Sequence, residues 1–421
     1  MKNNVFTKIK EFNKGRDPFF LALKYDKMME NPFNFFRGTC HLFYQDLSKK
    51  FTFEDDTKVW ICGDLHIENF GRYRGSDAKL HYDIEDFDEA VLAPVTWEIL
   101  RVITSIHLAA EQLKSDTETA DLSFEKSKTL SKHFLESYVE VILEGVPGQI
   151  KCTNLLNFIT PPVKNKNQVF QTSSTPATIN IDRPTSNKSK TDELDLVLKK
   201  KITEVVTTWL RGNKNMDEVI DAAWRIAGTG SLGIERYIVL VKQTDGQGFY
   251  LLDMKRSMPS SLRTYVDSFK QKIVQPEWQN ESERIIEIQE KMQDISPQFI
   301  VQNESRQILF EGNSYVLKEL QPEAGRIELK NLVKANQSLK EIIADYAIIT
   351  ASAHLSSADF KGSSSVRSLQ AFFKNKMHHR SILNYCTGYA KDVKKDFADF
   401  SSDPNVWHFI RKYCELVKIK P

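Results

Sequence analysis

The sequence predicts an α+β fold, with most strands in one central block between helical segments. Three observations predict it. Between 95 and 114, Ile99, Val102, Ile103, Ile106, Ala110 and Leu113 recur at spacings of three and four, which gives a helix one apolar face. Between 222 and 256, AWRIAGTGSLGIERYIVLVKQTDGQGFYLLDMKRS alternates β-branched and aromatic runs with glycine breaks, the pattern of strand, loop, strand, turn, strand. From 326 onward the pattern is mostly helical again. With 41% hydrophobic and 27% charged residues over 421 positions, the chain suits one large two-part domain or two ordinary ones.

The elements follow in order. Residues 1–55 read as helical, with Met28, Phe33, Phe35 and Phe36 as core. Arg37, before Gly38, reads first as a salt-bridged arginine and second as an anion contact. Val59-Trp60-Ile61-Cys62 is an apolar strand, and GDLHIENFG (63–71) is the loop after it. The polar turn Arg74-Gly75-Ser76-Asp77 then separates two strands, 70–73 and 80–84. Helices are expected at 95–114, about 123–145 and near 193–211. Between the last two, residues 160–192 are rich in Pro, Ser, Thr, Asn and Lys without periodicity, and read as a long loop, either a lid or disordered. The central strands include a turn at Asp245-Gly246. Helical periodicity returns at about 280–294, and ILFEGNSYVLKEL (308–320) reads as a second hairpin around Gly312-Asn313. There is no internal repeat.

A net charge of +2 gives no global field for nucleic acid or an anionic membrane. The five cysteines (Cys40, Cys62, Cys152, Cys386 and Cys414) are scattered without a CxxC pair, so neither a disulfide framework nor a zinc site is expected. A reduced, cytoplasmic setting fits this usage. The first residues, MKNNVFTKIKEFNKGRDPFF, lack the apolar centre of a signal peptide, and no run approaches 18 apolar residues. Export through a signal that these residues do not display stays an alternative.

GDLHIENFG places Asp64 and Asn69 five residues apart. In a kinase-type site that spacing belongs to the catalytic loop: the Asp orients the acceptor hydroxyl and takes its proton, and the Asn holds Mg²⁺. Asp86, in IEDFDEA (84–90), stands 17 residues beyond Asn69, at the end of a hairpin returning to the loop. That is the place for a second metal ligand, with Asp88 as an auxiliary. Mg²⁺ takes hard oxygens, and these carboxylates with the Asn69 amide supply them. The plain alternative is a solvated acidic turn; the gathering of all four residues within 25 positions argues against it. His66 reads as a brace of this loop, Cys62 as a small core residue and His378-His379 as solvated surface.

GTGSLG (228–233) matches GxGxxG, a weak signal alone. A dinucleotide fingerprint needs a helix next. Here Arg236-Tyr237-Ile238-Val239-Leu240-Val241 reads as a strand. A glycine loop between antiparallel strands would instead bring the backbone of Gly228, Gly230, Ser231 and Gly233 over ATP phosphates. Such a loop predicts a lysine on the next strand, and Lys255 stands there, although a surface lysine at a strand end is an equally plain reading. It also predicts a glutamate from the following helix on that lysine. Glu287 is the choice, with Glu290 and Glu283 as rivals.

These parts occur in rotated order, catalytic loop and metal segment before glycine loop and lysine strand. The sequence thus predicts a two-lobed protein-kinase-like fold that is circularly permuted. Residues 213–322 would form the β-rich lobe, and 1–212 with 323–421 the helical lobe. The helix at 343–355, ending near His354, would stand where the catalytic loop is normally approached.

Several stretches together resemble one family: NPFNFFRGTC (31–40), GDLHIENFG, IEDFDEAVLAPVTWEILRVITS (84–105), RIAGTGSLGIERYIVLV (225–241), LLDMKRSMPSSL (251–262), RIIEIQEKM (284–292) and ASAHLSSAD (351–359). The chain resembles the bacterial DUF2252 family, which is grouped with protein-kinase-like and aminoglycoside-phosphotransferase-like folds. GDLHIEN is also similar to the catalytic loop of small-molecule antibiotic and choline kinases, and IEDFDEA to their metal-binding segment. The family often has Asn where Glu85 stands and more Gln before the lysine; neither departure touches the assigned ligands. The loop at 160–192 has no counterpart in the pattern. The resemblance implies a fold and a nucleotide site, not an acceptor.

The expected activity is ATP- and Mg²⁺-dependent phosphoryl transfer to a hydroxyl, with Asp64 and Lys255 as catalytic residues. The absence of an Ala-Pro-Glu motif and of an activation segment after Asp86 favours a small or unusual acceptor. An AMP transferase on the same scaffold, or a nucleotide-binding pseudokinase, are the rivals. The oligomeric state is not legible.

Overall fold

The computed structural model describes residues 4–50, 54–77, 79–117, 124–150, 191–192, 194–212, 217–244, 249–267, 273–295, 306–320 and 339–414. Four short helices open the chain: α1 (Val5–Phe12), α2 (Pro18–Met28), α3 (Pro32–Gly38) and α4 (Cys40–Lys50). Their starts are written locally. Asn4, Asp17 and Asn31 accept N–H groups of the first turns, and proline enters the first turn of α2 and α3, where no N–H partner is lost. Met28, Phe33, Phe35 and Phe36 are all buried.

β1 (Val59–Ile61) pairs with β4 (Val91–Ala93), and β2 (Phe70–Arg74) with β3 (Leu80–Ile84), both antiparallel. α5 (Val95–Thr117) and α6 (Phe124–Glu144) follow. The central strands then form a six-stranded antiparallel sheet in the order β5-β6-β7-β8-β10-β9. Its members are β5 (Thr191–Asp192), β6 (Glu218–Arg225), β7 (Arg236–Lys242), β8 (Phe249–Arg256), β9 (Gln307–Phe310) and β10 (Asn313–Glu319). The fold is therefore α+β with antiparallel sheets.

Helix α7 (Leu196–Gly212) covers one face of this sheet. Ile202, Val206 and Leu210 pack with Tyr237, Val239, Val241, Leu252, Met254, Tyr315 and Leu317 in a separate hydrophobic core. Side chains alternate across a strand, so the intervening Arg236, Asp253, Lys255 and Lys318 emerge on the opposite face. That face looks towards the helical part, and this alternation is what delivers charge to the cleft between them.

The helical part adds α8 (Arg263–Asp267), α9 (Glu281–Met292), α10 (Leu339–Ser356), α11 (Val366–Lys374), α12 (Lys376–Ser402) and α13 (Pro404–Cys414). Its core draws on both ends of the chain: Phe6 and Tyr25 meet Phe400, and Tyr25 also meets Phe409. Leu262, Val266, Ile285, Ile288 and Met292 join this core too. α8 and α9 pack with this core, as does Val316 of β10.

Three smaller expectations change. The second hairpin turns at Glu311-Gly312, both with positive φ (48° and 77°), and Asn313 already pairs with Phe310. Two consecutive left-handed residues match the twist of a tight hairpin. Residues 191–192, read as loop, form the edge strand β5, while 160–190 and the Asp245-Gly246 turn lie outside the described residues. His378 and His379 are half-buried: one ring packs on Phe372 and the other meets the Phe373 carbonyl, so they close the α11–α12 junction. Cys40, Cys62 and Cys386 are buried free thiols. No helix among the described residues is long and apolar enough to cross a membrane.

Candidate active site

A cleft of about 1610 Å³ lies between the charged sheet face and the helical part. Asp64, Asn69, Asp86, Asp88, Gly228, Gly230, Ser231, Gly233 and Lys255 all line it; Glu287 does not.

The loop at 63–71 begins with a backbone crossing. Gly63 has φ of +82°, and a Cβ there would lie 2.4 Å from the Glu89 carbonyl oxygen, so only glycine fits. Its N–H donates to Glu98 Oε1 (3.0 Å), and its carbonyl accepts the Tyr44 hydroxyl. Glu98 Oε2 meets His354 Nε2 (3.1 Å), and His354 Nδ1 meets the Tyr138 hydroxyl (2.7 Å), all fully buried. The end of α10 thus abuts this loop through Glu98.

Asp64 Oδ1 accepts both Nε (2.8 Å) and Nη2 of Arg101, a fully buried guanidinium stacked on Phe36. Burial raises the Asp64 pKa and the Arg101 charge opposes it, leaving it above the ordinary carboxylate value. Asn69 is buried and braces two segments. Its amide nitrogen donates to the carbonyls of Asp64 (3.2 Å) and Asp86 (3.3 Å), and its Oδ1 accepts the Asp86 N–H (3.0 Å). One acceptor direction of Oδ1 is already taken, so Asn69 is first a brace, and only its second lone pair could meet a metal. His66 accepts the Glu68 N–H on Nδ1 (3.2 Å), and Arg37 pairs with Glu68.

Lys255 reaches across the cleft from β8. Its ammonium meets Asp86 Oδ2 at 3.2 Å and also Asp88, residues 169 and 167 positions away. Asp86 is 50% exposed and Asp88 30%, so both carboxylates remain open to a ligand. Desolvation works to raise the Asp86 pKa, but Lys255 and then Lys318 outweigh it and hold it well below the ordinary value. Desolvation and then the Asp86 charge push Asp88 up instead. The same pair raises Lys255 against its own desolvation. Beside it, Arg236 grips Asp253 with two bonds (2.8 and 2.5 Å), and Arg225 joins them. Among the described residues no three His, Cys, Asp or Glu side chains cluster as a metal-ligand set. Two carboxylates converging on one cation do fit Mg²⁺, which keeps waters and substrate phosphates among its ligands.

The 228–233 loop joins β6 to β7 and opens no helix. Gly228 and Gly233 have φ of +77° and +88°. Lys24 donates to the Gly230 carbonyl (2.8 Å), and Arg16 to those of Gly230 (3.0 Å) and Leu232 (3.2 Å). The loop tip lies over Asp64: a Cβ on Gly230 would be 3.7 Å from Asp64 Oδ2.

With this geometry in place, the family can be stated. The family model for DUF2252, described as an uncharacterized protein conserved in bacteria, matches residues 16–146 and 153–403. The chain belongs to the DUF2252 family. No curated protein and no solved structure matches it. The matched segments of this DUF2252 chain contain every cleft residue named above.

The glutamate assignment on α9 needs correcting. Glu287 pairs with Lys361 (2.8 Å), Glu290 with Arg306 (2.5 Å), and Glu283 accepts the Gln279 N–H (2.6 Å). None reaches Lys255, because α9 turns Ile285 and Gln289 to the cleft, with Gln293 just beyond its end. What α9 contributes is Arg284, which donates to the carbonyls of Ala90 (2.6 Å), Asp88 (2.9 Å) and Met258 (3.0 Å) and so clamps the acidic segment from behind. Sequence reading also missed Arg101, Lys24, Arg16 and Lys318. Arg101 carried a signal, since an arginine inside an apolar helical stripe needs a buried partner. Lys24 carried none: α2 buries Leu21, Ala22, Leu23, Lys24 and Tyr25 in succession, without a stripe from which to stand out.

Proposed function

We propose that this DUF2252 chain is an ATP- and Mg²⁺-dependent phosphotransferase with a circularly permuted, two-lobed kinase-like fold, acting on a hydroxyl of a small or unusual acceptor. The observation that carries the reading is the meeting of Lys255 with Asp86 and Asp88 in the cleft that also holds Asp64 and the glycine loop. Phosphotransfer needs these groups adjacent in space, not in chain order.

In this reading the N–H groups of 228–233 face the phosphates. The loop's carbonyls at Gly230 and Leu232 accept from Arg16 and Lys24. Lys255 binds the phosphates nearer the nucleoside, which points the terminal phosphoryl group at Asp64. Asp86 and Asp88, with the second lone pair of Asn69 Oδ1, would hold Mg²⁺, which supplies charge neutralisation on the phosphates. The acceptor hydroxyl oxygen forms a bond to the terminal phosphorus as the bond to the bridging oxygen breaks and ADP leaves. Asp64 orients the hydroxyl and takes its proton late, with Arg101 fixing the carboxylate.

One observation favours a second reading, a nucleotide-binding module or AMP transferase. Asp64 Oδ1 accepts two bonds from a buried guanidinium, which leaves only Oδ2 to take the acceptor's proton. The test separates all three. The protein and a cell extract are incubated with ATP labelled at the α or the γ position. Label transferred from γ, and lost in Asp64→Asn, is expected. Transfer only from α would replace phosphoryl by AMP transfer. Tight Mg²⁺-dependent binding of ATP with no transfer of either label would leave the binding module.

A further inference from the structure

Arg16, in the connector between α1 and α2, and Lys24, on α2, both end on the glycine loop, 206 to 216 residues later. Lys24 is 1% exposed, and its ammonium has two oxygen partners, Gly230 O and the more distant Asn13 Oδ1 (3.4 Å). Arg16 shares the Gly230 carbonyl, and its Cβ lies 3.1 Å from where a Cβ on Gly233 would stand, so the connector between α1 and α2 is pressed against the loop. On its other side the Gly230 tip rests on the Asp64 loop, 3.6 Å from the Arg37 carbonyl oxygen and 3.7 Å from Asp64 Oδ2 as measured to a built Cβ. A phosphoryl group beside Asp64 needs its own van der Waals space plus that of the acceptor oxygen. A methyl-sized group alone would already touch Asp64 there. In this state the loop tip fills the space on the Gly230 side of Asp64, so a phosphoryl group placed there would have to displace it.

We propose that Arg16 and Lys24 form an autoinhibitory latch: they hold the 228–233 loop shut on the Asp64 loop, and a phosphoryl group reaches Asp64 only after these contacts break. Charge-assisted bonds to backbone carbonyls are strong enough to favour the shut state. The latch is also poised to open, since burial first and the neighbouring Arg16 second push the Lys24 ammonium well below its ordinary pKa, so this cation is costly to keep there. An equilibrium between shut and open states lowers apparent ligand affinity by the fraction open. Closure itself is independent of the phosphotransferase reading; its inhibitory role rests on that reading.

Thr229, in the loop, is 1% exposed in this shut state, so Thr229→Cys places a reporter thiol that is buried while the loop stays as it is here. Modification of that introduced thiol by N-ethylmaleimide is followed by peptide mass spectrometry on the full chain without nucleotide. Adding Lys24→Met to Thr229→Cys is expected to speed labelling about tenfold, the effect of losing roughly one charge-assisted hydrogen bond, whereas adding Lys24→Arg keeps it slow. Equal rates in all three overturn the latch. If Lys24→Met fails to fold by circular dichroism, Arg16→Gln is used in its place, because Arg16 is half-buried and loses both carbonyl contacts. Calorimetry with Mg²⁺ and a non-hydrolysable ATP analogue then reads the inhibitory role. Tightening by about fivefold in the unlatched variant is expected from a larger open fraction. Faster labelling with unchanged or weaker binding overturns inhibition. Binding by neither protein counts against the phosphotransferase reading and leaves the labelling result standing.

Discussion

Asp83 is a residue whose chemistry can be read without reference to any ligand. It is buried on β3, and its carboxylate accepts the N–H groups of Ile84 (2.7 Å) and Asp294 (3.3 Å). Burial outweighs both bonds and pushes its pKa from 3.8 up to about 7. The folded chain therefore keeps a proton through a pH window in which the unfolded chain has released it. The stabilisation is complete below the unfolded value and is lost as pH rises towards the folded one, at about 1.4 kcal/mol per pH unit. Asp83→Asn, which cannot ionise, should change relative to wild type with that slope between pH 4.5 and 6.5 in urea unfolding; a constant difference would contradict the assignment. Gly63 gives a second residue-scale prediction. Gly63→Ala faces both a positive φ and the Glu89 carbonyl, whereas Gly312→Ala meets a positive φ of 77° with nothing within 4 Å. The left-handed backbone alone costs about 1 kcal/mol, so Gly312→Ala should lose about that much and Gly63→Ala at least about 2 kcal/mol more. Equal losses would mean that the Gly63 backbone relaxes away from Glu89.

At the scale of elements, α9 shows what periodicity can and cannot reveal. Its range, about 280–294, follows from local periodicity, and its apolar stripe runs through Ile285, Ile288 and Met292. Periodicity says which residues share a face, but not which other segment that face meets, and for that reason it cannot tell that Glu287 turns away from Lys255. The strands, the glycine loop and the Asp64 and Asp86 segments are legible because each is a short local pattern. The Arg101, Lys24 and Arg284 contacts are not, because each joins segments distant in sequence. Arg284→Met should cost about 3 kcal/mol or more in chemical denaturation, since a buried cation's removal leaves the carbonyls of Ala90, Asp88 and Met258 without their donor. Glu287→Gln removes only a partly exposed pair with Lys361 and should change stability by less than about 1 kcal/mol. A costly Glu287→Gln with a neutral Arg284→Met would reverse the roles given to the two faces of α9.

On the whole-molecule scale the chain visits one cleft three times: first with α2, then with the acidic loops, then with the sheet. The acidic loops and the sheet bring residues 64–255 together, and Lys255 and Asp86 are where the second and third visits meet. If both act on one Mg²⁺-bound nucleotide, their effects on its binding are coupled through that ligand and through their direct contact. Lys255→Met should weaken binding of a non-hydrolysable ATP analogue with or without Mg²⁺, because it removes a charge that faces phosphate directly. Asp86→Asn should weaken binding only when Mg²⁺ is present. The same change also frees Lys255 from one of its two carboxylate partners, so without Mg²⁺ it should leave binding unchanged or slightly tighter. The double variant should then be non-additive by about 0.5–3 kcal/mol, the range for residues in contact, and towards the low end because Asp88 continues to hold Lys255 when Asp86 is changed. Calorimetry of the four proteins, each with and without Mg²⁺, gives the coupling directly. Additivity within about 0.3 kcal/mol, with Asp86→Asn silent in Mg²⁺, would place the two residues in separate functions and remove the central support for a permuted phosphotransferase site.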